Sequence, residues 1–294
     1  MRLFLLTALV MVSFAANSLL NRVAVEGGHA DPASFALVRV AAGALALAVI
    51  LRLRRGAWSG LGAGRPWGAA MLSLYMVGFS LAYRVLDAGL GALILFGVVQ
   101  ITMFAAAALG GERPGAARLW GAGLAFAGLG LVLAPTVQGG ASGLAGAAAM
   151  VAAGLGWGLY SLAGRGARDP LAVTAGNFCL ALPVTALPLL IGWAVGGAGW
   201  GVVGWGGAVL SGPGLALAVI SGAVTSGMGY ALWYAVLPRL QASLAAVVQL
   251  SVPVIAVLGG VLFLGERVGP GFVLGAALVL GGIALGLRPG PRRG

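Results

Sequence analysis

Long apolar runs separated by short polar breaks make up almost the whole chain. Ten of these runs have the ~20 mostly apolar residues that a helix needs to cross a membrane, and the breaks between them are marked by Gly, Pro, Asp and Arg. The pattern predicts an all-α polytopic membrane protein with ten transmembrane helices. Their predicted positions are 3–21, 34–51, 67–84, 88–109, 117–134, 143–163, 171–191, 214–236, 241–263 and 269–287.

One long stretch occurs twice. Ala88–Pro135 aligns without a gap on Ala242–Pro289, with 16 identities in 48 positions. Composition alone would give roughly one match in eight positions in a chain this rich in Gly, Ala and Leu. In both copies an apolar run ends in Gly-Glu-Arg, at Glu112 and at Glu266, before a second apolar run begins.

The remaining predicted spans also have counterparts. Residues 13–22 match 156–165, and 78–86 match 229–237. An Asp-Pro pair precedes the second and the seventh spans. The chain is therefore predicted to consist of two related five-helix repeats, 1–135 and 143–289. We expect the functional site where they meet.

The arginines predict how the chain is oriented. With the N-terminus inside, 13 arginines fall in cytoplasmic segments and three in outer segments, as the positive-inside rule requires. Both termini are thus predicted to be cytoplasmic. Five spans per half then place the repeats in opposite orientations, as in alternating-access transporters. The Gly-rich segment 192–213, with three Trp, is predicted to be either an interfacial helix or a loop.

Composition excludes several classes of function. Of the 294 residues, 61% are hydrophobic and 8% are charged, against about 25% charged in soluble domains. The net charge of +11 comes from arginines that punctuate apolar runs, so no nucleic-acid partner is expected. One cysteine, Cys179, one histidine, His29, and no acid in the middle of a span argue against a metal site or an intramembrane enzyme. No phosphate-binding loop is present.

These features resemble the drug/metabolite transporter superfamily, and specifically its EamA-type exporters. The resemblance rests on Gly-Glu-Arg after the fourth and ninth spans, the Gly-rich fifth and tenth spans, Pro32 and Arg39 in the second span, and Gly156–Tyr160 in the sixth. The first span has Phe14-Ala15-Ala16-Asn17, where the family commonly has aromatic-Gly-x-Asn.

The resemblance implies an inner-membrane exporter of small metabolites, most often amino acids, with aromatic or neutral amino acids as one option. Its central cavity would be walled by spans 1, 3, 4, 6, 8 and 9. The expected partners are a small-molecule substrate and the lipid bilayer, with no partner protein and no cofactor. The alternatives are a nucleotide-sugar or other metabolite carrier of the same fold, and a membrane scaffold that does not transport.

Polar and aromatic side chains inside the spans are the candidate substrate-binding groups, because an unpaired polar group in hydrocarbon costs several kcal/mol and must face protein or water. The competing interpretation is interhelical hydrogen bonding and packing. The candidates are Asn17, Tyr75, Gln100, Thr102, Trp157, Tyr160, Tyr230, Trp233, Gln249 and Ser251.

Four residues are predicted to have gating or structural roles, and two tyrosines are expected only to pack or to anchor. Arg39 lies about five residues inside its span, where it can snorkel outward, and we favour a gating or structural role for it over direct substrate binding. Pro253 frees a backbone carbonyl and is expected to kink the ninth span. Glu112 and Glu266, at span ends, are expected to act as caps or in interfacial ion pairs. Tyr83 and Tyr234, also near span ends, are expected to pack or to anchor at the interface.

Overall fold

The computed structural model describes residues 2–55, 63–109, 140–164, 167–194, 209–239, 248–249 and 251–286, with separate positions between 117 and 131. Ten α-helices have bounds within these ranges. They are α1 (Arg2–Glu26), α2 (Pro32–Arg55), α3 (Pro66–Ala82), α4 (Ala88–Leu109), α5 (Ala141–Gly164), α6 (Pro170–Ala194), α7 (Gly212–Ile220), α8 (Gly229–Val236), α9 (Ser251–Leu264) and α10 (Pro270–Gly286).

Where they are described, the predicted spans are helical except at three end positions, Tyr83, Arg84 and Gly269. The eighth span is α7 and α8 joined by a π-helical stretch, Ser221–Met228, so that Gly212–Val236 is continuous. The described positions of the fifth span, between 117 and 131, are also helical. Within the part of the chain that the structure describes, five helical spans are long and apolar enough to cross a bilayer, and four shorter helices are apolar as well. The prediction of an all-α polytopic membrane protein is confirmed.

Proline and aspartate set where several helices begin. Four helices, α2, α3, α6 and α10, start with proline, which is tolerated there because the first-turn amide needs no intrahelical acceptor. The Asp31 carboxylate accepts hydrogen bonds from the Ala33 and Ser34 amides, both at 3.0 Å. Asp169 accepts from the Ala172 amide at 3.1 Å. The two Asp-Pro pairs thus cap equivalent helices.

Packing between the two halves follows a two-fold pattern. The first span packs on the eighth and ninth spans, and the sixth packs in the same way on the third and fourth. The second span contacts the eighth, as the seventh contacts the third. The second and seventh spans pack on each other, as do the fourth and ninth. Every one of these contacts keeps its counterpart when the halves are exchanged, as two inverted five-helix repeats require.

The Gly-rich segment 192–213 is helical at its start, where α6 continues to Ala194. At its end, Leu210 forms an antiparallel bridge with Ala30, and the Ser211 amide donates to the His29 carbonyl at 2.9 Å. Residues 195–208 lie outside the described residues, so the choice between an interfacial helix and a loop remains a prediction there.

Candidate functional site

A cavity lies between the two halves, within the membrane-spanning part. Its volume is about 10 Å³, roughly the space of one water molecule, so the cavity is nearly closed and far smaller than the ~300–1,000 Å³ of ligand pockets. Its wall is formed by residues of the first, third, fourth, sixth and eighth spans. The lining residues are Phe14, Asn17, Tyr75, Phe79, Leu95, Phe96, Trp157 and Tyr230.

Residues that the repeat pairs with each other line the cavity. The alignment that pairs Ser18 with Ser161 also pairs Phe14 with Trp157. The alignment that pairs Gly78 with Gly229 also pairs Phe79 with Tyr230. Members of both pairs line the cavity, and the Phe14 and Trp157 rings meet edge to face with centroids 5.6 Å apart.

Arg39 lies behind this wall and is fully buried. Its Nε donates to the Ser226 hydroxyl at 2.9 Å, and its Nη2 donates to the Tyr75 hydroxyl at 3.1 Å and the Tyr230 hydroxyl at 3.0 Å. The Nη1 atom is buried and has no hydrogen-bond partner among the described residues. Arg39 therefore points into the protein and does not snorkel outward.

The partners of Arg39 are themselves related by the repeat. Tyr75 aligns with Ser226, and Phe79 aligns with Tyr230. The guanidinium carbon lies 5.0 Å from the centre of the Phe79 ring, within the range of cation–π attraction. One guanidinium thus contacts both members of two repeat-related pairs.

Asn17 connects the first span to the π-helical stretch of the eighth. Its side-chain oxygen accepts from the Ser221 hydroxyl at 2.8 Å, from the Ser226 hydroxyl at 3.3 Å and from Thr225. Because Ser226 also accepts from Arg39, the polar groups form one network. A π-helical turn is rare and often marks a functional position.

Trp157 forms the centre of the aromatic wall. Its ring lies 4.6 Å from that of Tyr230 and 5.1 Å from that of Tyr75, centre to centre. Its indole Nε1 is buried and has no hydrogen-bond partner in the described chain. The indole nitrogen is thus a donor without an acceptor beside the cavity.

Four of the ten predicted substrate-binding residues therefore line the cavity, namely Asn17, Tyr75, Trp157 and Tyr230. The others do not line it. Thr102 and Ser251 donate to carbonyls of nearby residues in their own spans, Val98 at 2.8 Å and Val248 at 2.7 Å.

The remaining predicted binding residues are packed close to the wall. Trp233 is buried edge to face against Phe14, and Tyr160 is buried beside Trp157. Gln249 is buried and bonded, and its repeat counterpart is Leu95, which lines the cavity. The Gln100 Nε2 atom is buried without a partner among the described residues.

Tyr83 and Tyr234 are packed inside the protein, both nearly fully buried. Tyr83 donates to the Ala88 carbonyl and Tyr234 to the Tyr160 carbonyl. Of the two interpretations offered by the sequence, packing therefore applies to both. Pro253 is buried in the first turn of α9, and its role as a gating kink remains a prediction.

Sequence reasoning missed part of the wall, since Phe14, Phe79, Leu95 and Phe96 have no polar group to single them out. Ser226 was missed as well. A usable signal was present: the two alignments already paired Phe14 with Trp157 and Tyr75 with Ser226. Applying the repeat to each candidate would have identified these positions.

Glu266 caps α4. Its carboxylate accepts from the Ala88 amide at 2.6 Å and from the Gly89 amide at 3.4 Å, and it lies 3.9 Å from the Arg22 guanidinium. Arg22 also pairs with Asp87 at 3.2 Å and with Glu26 at 3.7 Å. These four residues link the end of the first span to two connections: the one between the third and fourth spans, which holds Asp87, and the one between the ninth and tenth spans, which holds Glu266. Glu112 lies outside the described residues.

Burial raises the pKa of the Glu266 carboxyl above its ordinary value, although the two amide bonds act in the opposite direction. A raised folded-state pKa means that ionisation costs the folded state stability as pH rises above the ordinary value of about 4.3. A glutamine does not titrate. We therefore expect the stability of a Glu266→Gln variant, relative to the natural protein, to increase as pH rises from 4 to 8.

Thermal unfolding of the detergent-solubilised protein across this range measures the effect. Glu26→Gln is the control for loss of a negative charge beside Arg22, because the Glu26 side chain is 54% exposed. A relative stability that falls with pH would show that the amide bonds outweigh burial at Glu266.

The comparisons with known proteins agree with this architecture. The model of the EamA-like transporter family matches residues 144–288. An uncharacterized protein of Pseudomonas aeruginosa, PA1977, is 50% identical over 295 residues, covering 98% of this chain and 95% of the relative. A protein of known crystal structure shares the fold, with a TM-score of 0.62, 20% identity, and coverage of 95% of this chain and 96% of that chain. The chain therefore belongs to the EamA-like transporter family, whose members are membrane proteins.

Proposed function

We propose that the protein exports small metabolites, most favourably amino acids, across the bacterial inner membrane by alternating access through the central cavity. The observation that carries the proposal is the position of the cavity. Repeat-related residues line it from both halves, and a buried polar network runs behind it.

The symmetry of the wall is suited to alternating access. In transporters built from inverted repeats, the substrate site lies at the repeat interface near the middle of the membrane. Rocking one half against the other then opens the same site to either side. The pairs Phe14–Trp157 and Phe79–Tyr230 provide similar surfaces for both states.

The arginine distribution supports an orientation with both termini in the cytoplasm. In that orientation the Arg22 cluster (Arg22, Glu26, Asp87 and Glu266) is on the outer side, and the ion pair between Arg55 and Asp169 is on the inner side. We propose that these contacts hold the two ends of the transport path, with Glu112 and Pro253 as further gating residues.

The chemistry of the cavity disfavours the alternatives. A nucleotide-sugar carrier has to neutralise a diphosphate, and Arg39 is the one basic residue well inside a predicted span. A membrane scaffold needs no aromatic cavity with unpaired donors. The aromatic wall and its hydroxyls favour a smaller substrate with an apolar body.

Flux measurement in proteoliposomes tests the proposal. The reconstituted protein should accumulate at least one labelled amino acid saturably, and flux equal to that of empty vesicles across a broad panel would refute transport. We expect Trp157→Ala and Gln249→Leu each to reduce flux per folded protein by ~10-fold or more, which corresponds to about 1.4 kcal/mol of lost interaction.

The matched control is Trp67→Ala, because Trp67 is 57% exposed at the start of α3. It should keep normal flux. Size-exclusion profiles of all variants distinguish lost transport from lost folding. If Trp157→Ala or Gln249→Leu keeps full flux, that residue does not belong to the site.

A further inference from the structure

Around Arg39, several hydrogen-bond donors have no acceptor among the described residues, and no described carboxylate pairs with the guanidinium. Tyr75 and Tyr230 each accept a bond from the guanidinium, and they share one proton between their hydroxyls, which are 3.0 Å apart. One of the two phenolic protons is therefore left with no acceptor in the described part of the chain. The Trp157 indole N–H and the Arg39 Nη1 group also have no acceptor there.

The hydrogen-bond acceptors of the network, Asn17 and Ser226, already have donors. Asn17 supplies the amide oxygen next to the cavity, and three hydroxyls of the eighth span already donate to it. Ser226 accepts from Arg39 and donates to Asn17. The cavity wall can thus donate hydrogen bonds to a ligand but has little capacity to accept them.

Arg39 is a positive charge near the cavity, and no described carboxylate balances it. The sequence has six acidic residues, and the five that the structure describes lie in connections or at helix ends, at Glu26, Asp31, Asp87, Asp169 and Glu266. None of the described carboxylates forms an ion pair with Arg39. A buried cation is costly unless it is paired, so this site stabilises an anion and opposes a cation.

We propose that the ligand binds through a carboxylate that accepts a hydrogen bond from the one free phenolic proton of the Tyr75–Tyr230 pair, supported by the charge of Arg39 behind the pair. The ligand's apolar body would pack on Phe14, Phe79, Phe96 and Trp157 once the two halves move apart, because the cavity as it stands has a volume of only about 10 Å³. Arg39 acts through the two tyrosines and is a positioning residue. This inference rests on the proposed function and specifies its substrate class.

The proposal distinguishes the two ends of an amino acid. The carboxylate meets donors, whereas the ammonium group finds no carboxylate. The substrate class is therefore the monocarboxylate with an aromatic or branched body. An amino group is tolerated but not required. A deaminated analogue should bind at least as tightly as the amino acid, and the decarboxylated amine should not bind.

Three compounds that share a phenyl ring on a two-carbon unit test this inference: phenylalanine, its deaminated analogue 3-phenylpropionate and its decarboxylated analogue phenethylamine. Their binding to the purified full-length protein is measured by thermal shift and by calorimetry. We expect saturable binding of the two acids and at least ~10-fold weaker binding of the amine, as expected when a charge-assisted hydrogen bond is lost. The proposal is overturned if the amine binds as well as the acids, if phenylalanine binds and 3-phenylpropionate does not, or if none of the three binds.

A pair of variants tests the role of the hydroxyls. Tyr75→Phe removes one oxygen and keeps the ring, so folding should be preserved while binding of 3-phenylpropionate weakens by ~10-fold. Tyr234→Phe is the control, because Tyr234 is equally buried but donates to the Tyr160 carbonyl. Equal effects of the two variants on binding would overturn the assignment.

Binding and flux separate this inference from the proposed function. Binding of the acids without flux in proteoliposomes would refute transport and keep the carboxylate site. Flux of amino acids that amines inhibit as strongly as acids do would refute the carboxylate site and keep transport.

Discussion

An Arg39→Met variant is expected to lose carboxylate transport while keeping or gaining thermal stability. Hydrogen bonds to a charged group contribute about 1.5–3 kcal/mol. Loss of the guanidinium behind Tyr75 and Tyr230 should therefore reduce flux of a carboxylate substrate by ~10- to 150-fold. Flux and unfolding midpoint, measured on the same preparation, give the two quantities.

Stability should not fall with transport, because the buried guanidinium has no carboxylate partner among the described residues. Replacing a buried charge with an apolar group of similar volume is often neutral or stabilising. The groups that lose Arg39 keep other partners, since Tyr75 and Tyr230 bond each other and Ser226 bonds Asn17.

Arg39→Lys is the matched variant. It keeps the positive charge but lacks the planar fork that reaches two tyrosines and Ser226 at once. It should restore part of the flux and the preference for acids over amines. A sharp fall in the unfolding midpoint of Arg39→Met, with an unchanged preference between acids and amines, would instead make Arg39 a structural residue only.

The helices were predictable because their signal is local. A run such as Ala88–Leu109 is apolar throughout, and each residue contributes to the prediction independently. Asp-Pro at the starts of α2 and α6 adds a cap and a fixed backbone angle. The π-helical stretch Ser221–Met228 was not predictable in this way, because its composition differs little from that of its neighbours.

The environment of Arg39 was not predictable from its position in the span. Five residues from the predicted start of its span, a long side chain is free to reach water. Instead, contacts with Tyr75, 36 residues away, and with Tyr230, 191 residues away, hold it inside. Such contacts depend on how the two halves pack against each other. The internal repeat was the one feature of the sequence that carried information about this packing.

The repeat also shows where symmetry breaks. Asn177 occupies the position in the seventh span that Arg39 occupies in the second. Both reach the third helix of the opposite half, but Asn177 accepts from the Arg65 amide at 2.8 Å at the start of α3. Both halves therefore have a polar contact between their second helix and the third helix of the other half, but only the contact made by Arg39 is charged. The cavity therefore has one cationic side, which a symmetric alignment does not predict.

A second large effect is expected where the second and eighth spans touch through their backbones. A Cβ atom added at Gly222 would lie 2.1 Å from the Arg39 carbonyl oxygen and 2.9 Å from the Ala42 Cβ. Neither backbone can yield without moving a helix. We expect Gly222→Ala to cost about 3 kcal/mol and Gly222→Leu to prevent folding.

Detergent extraction, size-exclusion profiles and thermal unfolding measure this cost. Gly281→Ala is the control, because a Cβ there meets nothing within 4 Å, and a helical Gly→Ala change in open space is neutral or stabilises by up to ~1 kcal/mol. Because Gly222 precedes Ser226 by one turn, any Gly222→Ala protein that folds should also bind carboxylates more weakly. An unchanged unfolding midpoint for Gly222→Ala would show that the two spans separate easily at this contact, and that close packing does not hold Arg39 in place.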